Sequence, residues 1–214
     1  MWIAASPSAP RNDKKRGQMK IRTLVLGDMM NCCYIVENNR QAIIIDPSWQ
    51  MQTIYDLLEA KNLKPAAVIF THGHYDHLYG AAELLRKYDI KGYIEEGDVE
   101  MSALPKDLLY IFKGDYKASL AGLDVEFLHT PGHSRGSVCV KIANDLFTGD
   151  TLFPGACGRV DLPGSDSRAM QKSLARLAQL PPGTKVYSGH TYGDGGESET
   201  TIGQEIKTNP FMCQ

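Results

Sequence analysis

The sequence has no long hydrophobic run, and this absence excludes a helix that crosses a membrane. Its 214 residues contain apolar stretches of about five residues, such as 66–70, whereas a membrane-spanning helix needs roughly 20. The sequence also has no large excess of charge of either sign, because it contains 23 Lys and Arg and 25 Asp and Glu. Nucleic acid and anionic membranes are therefore not expected as partners.

Cysteine is scarce and irregularly placed, which argues against a disulfide framework. The five cysteines are odd in number and share no ligand-like spacing. A reducing cytoplasm is the expected compartment. The five are Cys32, Cys33, Cys139, Cys157 and Cys213.

The first 18 residues lack the apolar core of a signal peptide. Their one apolar piece, residues 2–5, is short and precedes the basic cluster at residues 14–16. We predict a disordered extension over residues 1–18, with Met19 as an alternative start. A weak organellar or surface role stays open. The remaining residues, 19–214, are enough for one domain with a substantial core.

The stretch most informative about function is residues 71–77, which read THGHYDH. It follows the apolar run at residues 66–70, which is typical of a buried strand. In an extended segment His72 and His74 point to the same side, since side chains alternate. A helix is predicted from about His77 to Tyr88, so Asp76 is expected as its N-cap or a first-turn residue as well as a ligand.

Three further polar residues stand in similar turns after predicted strands. His133 and His190 each follow a glycine, and Asp150 does the same after residues 145–147. A lone histidine in a turn is usually a surface residue, but this accumulation indicates one site at a sheet edge. Neutral imidazole and carboxylate bind zinc, iron and manganese. His129 has no such setting and is interpreted as structural or surface-exposed.

The order of strand-like and helix-like patterns predicts an α/β fold. A β-meander, a helix, a strand and a helix form the first half of the chain. The second half repeats this order of strands and helices and ends in a predicted helix over residues 197–207. Such an order favours two sheets packed face to face with helices outside. The turn Asn38-Asn39-Arg40 suits a β-hairpin, because Asn tolerates left-handed backbone.

The motifs THGHYDH, PGHS, FTGD and SGH, in this order, resemble the metallo-β-lactamase superfamily from about Met19 to about Met212. The resemblance implies a four-layer αβ/βα sandwich and two divalent metal ions per chain, zinc first, with iron or manganese as alternatives. The implied ligands are His72, His74 and His133 for one ion, Asp76, His77 and His190 for the second, and Asp150 as the bridge.

The same resemblance implies hydrolysis with Asp76, His77 and Asp150 as the catalytic residues. Two metal ions that share a water lower its pKa and stabilise an oxyanion, so no Ser, Cys or Lys nucleophile is required. Asp46 and Thr71 are candidates for supporting the ligand histidines from behind.

Two later stretches resemble the glyoxalase II branch: residues 148–159, and Gly189-His190-Thr191-Tyr192. There Arg159 and Tyr192 would meet the glutathione part of a thioester such as S-lactoylglutathione. Alternatively, Arg159 forms an ion pair with Asp161, and Tyr192 packs in the core. Typical glyoxalase II continues into a helical glutathione-binding domain, whereas this sequence stops at Gln214 and resembles the short single-domain hydrolases.

Two other functions stay open. Persulfide dioxygenases of the superfamily also contain a Gly-Arg-x-Asp stretch and bind one iron, for which the set would be His72, His133 and Asp150. A metal-binding domain without turnover is the third hypothesis. The expected partner is a small thioester, and either a monomer or a homodimer is compatible with the sequence.

Overall fold

Two β-sheets pack face to face, with helices on both outer surfaces, in the computed structural model of this chain. The structure describes residues 19–191 and 197–212. The extension predicted for residues 1–18 and the predicted substrate contact Tyr192 lie outside the described residues. No helix within the described ranges is both long enough and apolar enough to span a bilayer.

The strands of the first sheet, in their spatial order, are β1 (Lys20–Leu26), β2 (Asn31–Asn38), β3 (Gln41–Ile45), β4 (Lys64–Ile69), β5 (Gly92–Glu95) and β6 (Leu109–Phe112). Strands β1 to β3 form an antiparallel meander, and β3 to β6 run parallel. The predicted hairpin at residues 38–40 is confirmed: Asn39 and Arg40 both take positive φ, at 49° and 63°.

The remaining strands are β7 (Tyr116–Leu120), β8 (Leu123–His129), β9 (Val138–Ile142), β10 (Asp145–Gly149), β11 (Leu152–Phe153), β12 (Ala156–Cys157), β13 (Lys185–Ser188) and β14 (Glu199–Thr201). In the described residues the second sheet has the order β14-β13-β10-β9-β8-β7, and β11 pairs with β12 as a separate small hairpin. Only the β10–β13 pairing of this sheet is parallel.

The helices are α1 (Met51–Ala60), α2 (Ala81–Tyr88), α3 (Val99–Ser102), α4 (Ser167–Leu177) and α5 (Ile202–Thr208). Helices α1 and α2 cover the outer face of the first sheet, and α4 and α5 cover that of the second. Between the sheets lies an aromatic and aliphatic core in which Tyr34 and Phe147 meet with ring centroids 5.1 Å apart. The predicted four-layer αβ/βα sandwich is confirmed.

Two local predictions are wrong. The helix predicted from His77 begins only at Ala81, after a left-handed Gly80, so Asp76 lies in the first turn of a separate short 3₁₀ turn, Tyr75–His77, and not at the start of α2. The last helix begins at Ile202 rather than at residue 197, since residues 199–201 pair with β13 as a strand. The Thr201 side chain then caps the helix by accepting from Gln204 N.

Candidate metal centre

Backbone hydrogen bonds join the loops that follow the strands at one edge of the two sheets. Val138 N donates to Thr71 O at 2.8 Å, which links the THGHYDH loop to the start of β9. Gly189 N donates to Gly149 O at 2.8 Å, which joins the ends of β10 and β13. Cys32 N donates to Gly189 O at 2.8 Å and ties the second sheet to β2. The predicted ligands therefore converge where the two sheets meet.

The first triad consists of His72, His74 and His133, with one ligand atom from each within 4.8 Å of the others. His74 Nδ1 and His133 Nε2 are 2.8 Å apart. His72 is almost fully buried, yet its Nε2 atom has no hydrogen-bond partner among the described residues. A buried polar atom without a partner is costly, so its position beside two other imidazole nitrogens suits a bound cation.

The second triad consists of Asp76, His77 and His190, again within 4.8 Å. The Nε2 atoms of His77 and His190 lie 3.1 Å apart. Asp76 Oδ2 is 3.6 Å from the former and 3.4 Å from the latter. This triad differs from the first in containing a carboxylate.

Asp150 lies between the two triads. Its Oδ2 atom is 3.5 Å from His133 Nε2 in the first triad and 3.5 Å from His190 Nε2 in the second. Its Oδ1 atom is buried without a hydrogen-bond partner in the described chain. The structure thus brings all seven predicted ligands together, and their nitrogen and oxygen donors fit two divalent cations such as zinc, iron or manganese.

The protonation states also suit metal ligation. Burial lowers the pKa of His72 far below its ordinary value and lowers that of His74 as well, which keeps both imidazoles neutral at pH 7. Burial is the largest single influence on Asp150 and raises its pKa, but His77, His190 and His72 together lower that pKa well below its ordinary value, so this carboxyl is ionised. Burial lowers the pKa of His77, but neighbouring carboxylates, Asp150 foremost, raise it well above its ordinary value. A cation at this position would displace that proton.

Each supporting contact fixes the ring nitrogen that does not face the centre. His77 Nδ1 lies 3.0 Å from Asp46 Oδ2, and Asp46 also accepts from Thr71 N at 2.8 Å and from Thr71 Oγ1 at 2.6 Å. His133 Nδ1 is 2.9 Å from the carbonyl oxygen of Arg159. These contacts select the tautomer that leaves Nε2 available. Asp46 and Thr71 therefore occupy the supporting positions that the sequence suggests.

Glycine is required at two positions beside Asp150. A Cβ atom at Gly158 would overlap the Asp150 carbonyl oxygen, and one at Gly189 would overlap its Oδ1 atom. The lack of a side chain lets Gly158 lie against the backbone of Asp150 and lets Gly189 lie against its carboxylate.

Asp98 is a supporting residue that the sequence analysis missed. It is fully buried and accepts hydrogen bonds from Gly73 N at 2.7 Å, Gly136 N at 2.7 Å and Ser134 Oγ at 2.5 Å. Gly73 stands between two ligands of the first triad, and Ser134 follows the third. One carboxylate therefore holds together the two loops that carry this triad. Its only signal is an aspartate shortly after a strand, which is common in loops.

Asn31 and Trp49 form a second support that the sequence analysis missed. Trp49 Nε1 donates to Asn31 Oδ1 at 2.7 Å, and Asn31 Nδ2 donates to Asp76 Oδ2 at 2.9 Å. The indole thereby sets which way the amide points, and the amide positions the carboxylate of the second triad.

Arg159 was predicted either to contact the substrate or to pair with Asp161. Arg159 makes a bidentate ion pair with Asp161, at 2.7 and 2.9 Å, and both side chains are exposed. This agrees with the ion-pair alternative. His129 lies outside the cluster, with Nε2 2.9 Å from the carbonyl oxygen of Arg135.

The fold and the centre together define a metal-binding αβ/βα sandwich protein. A family model described as the metallo-beta-lactamase superfamily matches residues 26–190. The chain belongs to the metallo-β-lactamase superfamily. Membership supports a metal-dependent hydrolase, and the fold binds divalent metal ions, typically two.

Three relatives illustrate the range of this similarity. The Bacillus velezensis protein named "Probable polyketide biosynthesis zinc-dependent hydrolase BaeB" is 32% identical over 82% of this chain and 80% of its own length. The crystal structure of TTHA1623 in a di-iron-bound form is 34% identical over 89% of this chain and 99% of that chain, with a TM-score of 0.77. The crystal structure of ETHE1 from Myxococcus xanthus is 27% identical over 90% of this chain and 84% of that chain, with a TM-score of 0.80.

Proposed function

We propose that the protein hydrolyses thioesters, with S-lactoylglutathione or a related hydroxyacylglutathione as the substrate. The carrying observation is the pair of complete ligand triads with Asp150 between them. When bound, divalent cations would supply Lewis acidity and lower the pKa of a bound water. The seven ligands are the residues that would hold them.

The chain's own residues accept the proton and provide the geometry. Asp76 is positioned by Asn31, and its Oδ2 atom lies 3.4 Å from His190 Nε2 in the second triad, where it can accept a proton from the attacking water. His77 is held by Asp46 and keeps Nε2 turned inward. This assigns Asp76, His77 and Asp150 as the catalytic group.

Cysteine nucleophiles are not supported. Burial raises the pKa of the Cys32, Cys33 and Cys139 thiols, so they stay protonated at neutral pH. The four cysteines within the described chain are free. Free cysteines fit our further proposal of a cytoplasmic location, which cell fractionation would test. We also propose a monomeric or homodimeric state, which size-exclusion chromatography would test.

Glutathione recognition is supported by the resemblance of residues 148–159 to the glyoxalase II branch. The Arg159 guanidinium already grips a carboxylate, that of Asp161, in the bidentate geometry that a substrate carboxylate would need. Exchange of Asp161 for the substrate would use the same donors. Tyr192 is proposed as the second contact.

The test is the loss of thioester absorbance of S-lactoylglutathione, compared among zinc-, manganese- and iron-loaded protein. Rapid loss that a chelator abolishes is expected, and the His74→Ala variant should be inactive. Intact S-lactoylglutathione beside cleaved simple esters would contradict the proposal. Intact thioester with both metals bound would direct attention to a non-catalytic metal-binding domain.

A one-iron persulfide dioxygenase is the second candidate, since His72, His133 and Asp150 form a two-His-one-carboxylate set. His133 Nε2 lies 3.5 Å from Asp150 Oδ2, and His72 Nε2 points to the same space without a hydrogen-bond partner among the described residues. Oxygen consumption with glutathione persulfide, one iron per chain and activity that survives His74→Ala would favour this function. The complete second triad favours the hydrolase.

A further inference from the structure

Met29, Trp49, Tyr75 and Tyr79 contact one another and form an exposed surface beside the centre. Together with Met30, which follows Met29 in the chain, they are here called the aromatic–methionine patch. Four are well exposed to solvent: Met29 at 42%, Met30 at 47%, Tyr75 at 65% and Tyr79 at 59%. The fifth, Trp49, is half-buried beneath them. Single exposed apolar residues are ordinary, whereas a contiguous group marks a binding surface.

The patch is continuous with the second ligand triad. Tyr75 stands between His74 and Asp76 in the sequence, so its ring projects from the loop that carries both ligands. The carbonyl oxygen of Met29 lies 2.8 Å from Nδ1 of His190. Trp49 connects to Asp76 through the Asn31 amide. A molecule whose reacting carbonyl lies at the centre would therefore place a neighbouring group on the patch.

The aromatic rings of the patch are held against one another. Trp49 stacks on Tyr79 with centroids 5.3 Å apart and meets Tyr75 edge-on at 6.0 Å. The Tyr75 hydroxyl reaches Met29 Sδ at 3.7 Å. Rigid aromatic rings lose little entropy on binding, while the unbranched methionines adapt to different shapes.

The described residues that line the centre of this surface are mostly apolar and include no Lys or Arg. A depression of about 300 Å³ there is lined by Gly27, Asp28, Met29, Trp49, Gln50 and Tyr79. Its one charged lining residue is the acidic Asp28, which repels carboxylates. The patch is therefore unsuited to the charged ends of glutathione and suited to an uncharged hydrocarbon group.

We propose that the aromatic–methionine patch binds the acyl group of the thioester, so that the enzyme prefers long-chain or aromatic acyl groups to lactoyl. This inference rests on the proposed thioesterase function and names the acyl half of its substrate. Each methylene buried on the patch raises kcat/KM by about fourfold when its contact persists in the transition state.

The experiment uses metal-loaded full-length protein and a series of glutathione thioesters that differ only in the acyl group: acetyl, lactoyl, hexanoyl and phenylacetyl. We expect kcat/KM to rise at least about tenfold from acetyl to hexanoyl. Tyr79→Ala and Tyr75→Ala should each reduce this ratio severalfold. Phe211→Ala, which removes an aromatic ring with 51% exposure that is not part of the patch, serves as the matched control and should leave the ratio unchanged.

The outcomes separate the inference from the proposed function. Equal cleavage of all four acyl groups would overturn the patch proposal while leaving the thioesterase standing, whereas no cleavage of any would defeat the thioesterase itself. A second series with a constant acyl group and varied thiols identifies the half of the substrate that is recognised. Selectivity that follows the thiol would overturn our assignment. So would a dimer that Tyr79→Ala dissociates with the acyl ratio unchanged, because the patch would then be a subunit interface.

Discussion

The two ligand triads of the metal centre differ in charge and in the way the protein holds them. The first, His72, His74 and His133, is made of imidazoles alone, whereas the second includes the carboxylate of Asp76. Asp150 Oδ2 lies 3.5 Å from His133 Nε2 of the first triad, so we expect metal binding at this triad to depend strongly on that carboxylate.

The residues that hold the ligands also differ between the two triads. A single buried carboxylate, Asp98, ties together the two loops of the first triad through backbone and hydroxyl donors. The second triad is held side chain by side chain, with Asp46 on His77 and Asn31 on Asp76. The first triad is therefore sensitive to loop position, and the second to the orientation of individual side chains.

The largest expected effect comes from Asp150→Asn, which removes the charge that both triads share. Outer partners of metal ligands alone are worth about 10- to 100-fold in affinity. Loss of the bridging ligand should therefore weaken both ions by about 100-fold or more and abolish hydrolysis. Metal content after dialysis against a weak chelator measures this. If one ion stayed at wild-type affinity, Asp150 would belong to a single triad.

Asp98→Asn should separate the two triads. The amide cannot accept from all three donors at once, so the loops of the first triad loosen. We expect the first ion to bind about 10- to 100-fold more weakly and the second to be little changed. Sequential zinc titration against a chromophoric chelator resolves the two affinities.

Glu205→Gln is the matched control for Asp98→Asn. Glu205 is also a buried carboxylate with three donors, namely Gly155 N, Thr200 Oγ1 and Asn209 Nδ2, at 2.9, 2.7 and 2.8 Å. It contacts neither triad through these bonds. Both variants should lose stability, by about 1–3 kcal/mol, but only Asp98→Asn should lose zinc. Equal weakening of both ions would contradict the loop-holding role.

The ligands and the residues that position them also differ in how well the sequence predicts them. The four-layer fold and the grouping of the ligands were predictable, because each ligand follows a strand end in a short local motif. Asp98 and Asn31 carry no such pattern. The partners of Asp98 lie 25, 36 and 38 residues away along the chain, and Asn31 meets Asp76 across 45 residues. Only the packed sheets bring these partners together.

The 3₁₀ turn at Tyr75–His77 was missed for a related reason. Periodicity indicated a helix from His77, and the apolar residues that follow do pack into the core as those of a helix would. The loop, however, must turn Asp76 and His77 toward His190, and the left-handed Gly80 absorbs the change of direction before α2 begins.

Trp49→Phe tests the side-chain support of the second triad with a smaller change. The variant keeps an aromatic ring on Tyr79 but removes the Nε1 donor that fixes Asn31. A hydrogen bond of this kind is worth about 0.5–1.5 kcal/mol, so the second ion should bind about two- to tenfold more weakly. Tyr79→Phe, which keeps its ring stacked on the indole, is the control. A shift in the first ion instead would refute the Trp49–Asn31–Asp76 connection.

The smallest effect is expected at Arg159, whose backbone supports the first triad through His133 while its side chain lies in solvent. If the guanidinium grips a substrate carboxylate, Arg159→Ala should raise KM about three- to fivefold with kcat unchanged, as for an exposed ion pair. Asp161→Ala should lower KM instead, because it removes the carboxylate that competes with the substrate for the guanidinium. Steady-state kinetics with S-lactoylglutathione measure both variants. Unchanged KM in both would make the Arg159–Asp161 pair purely structural, and glutathione recognition would have to come from other residues.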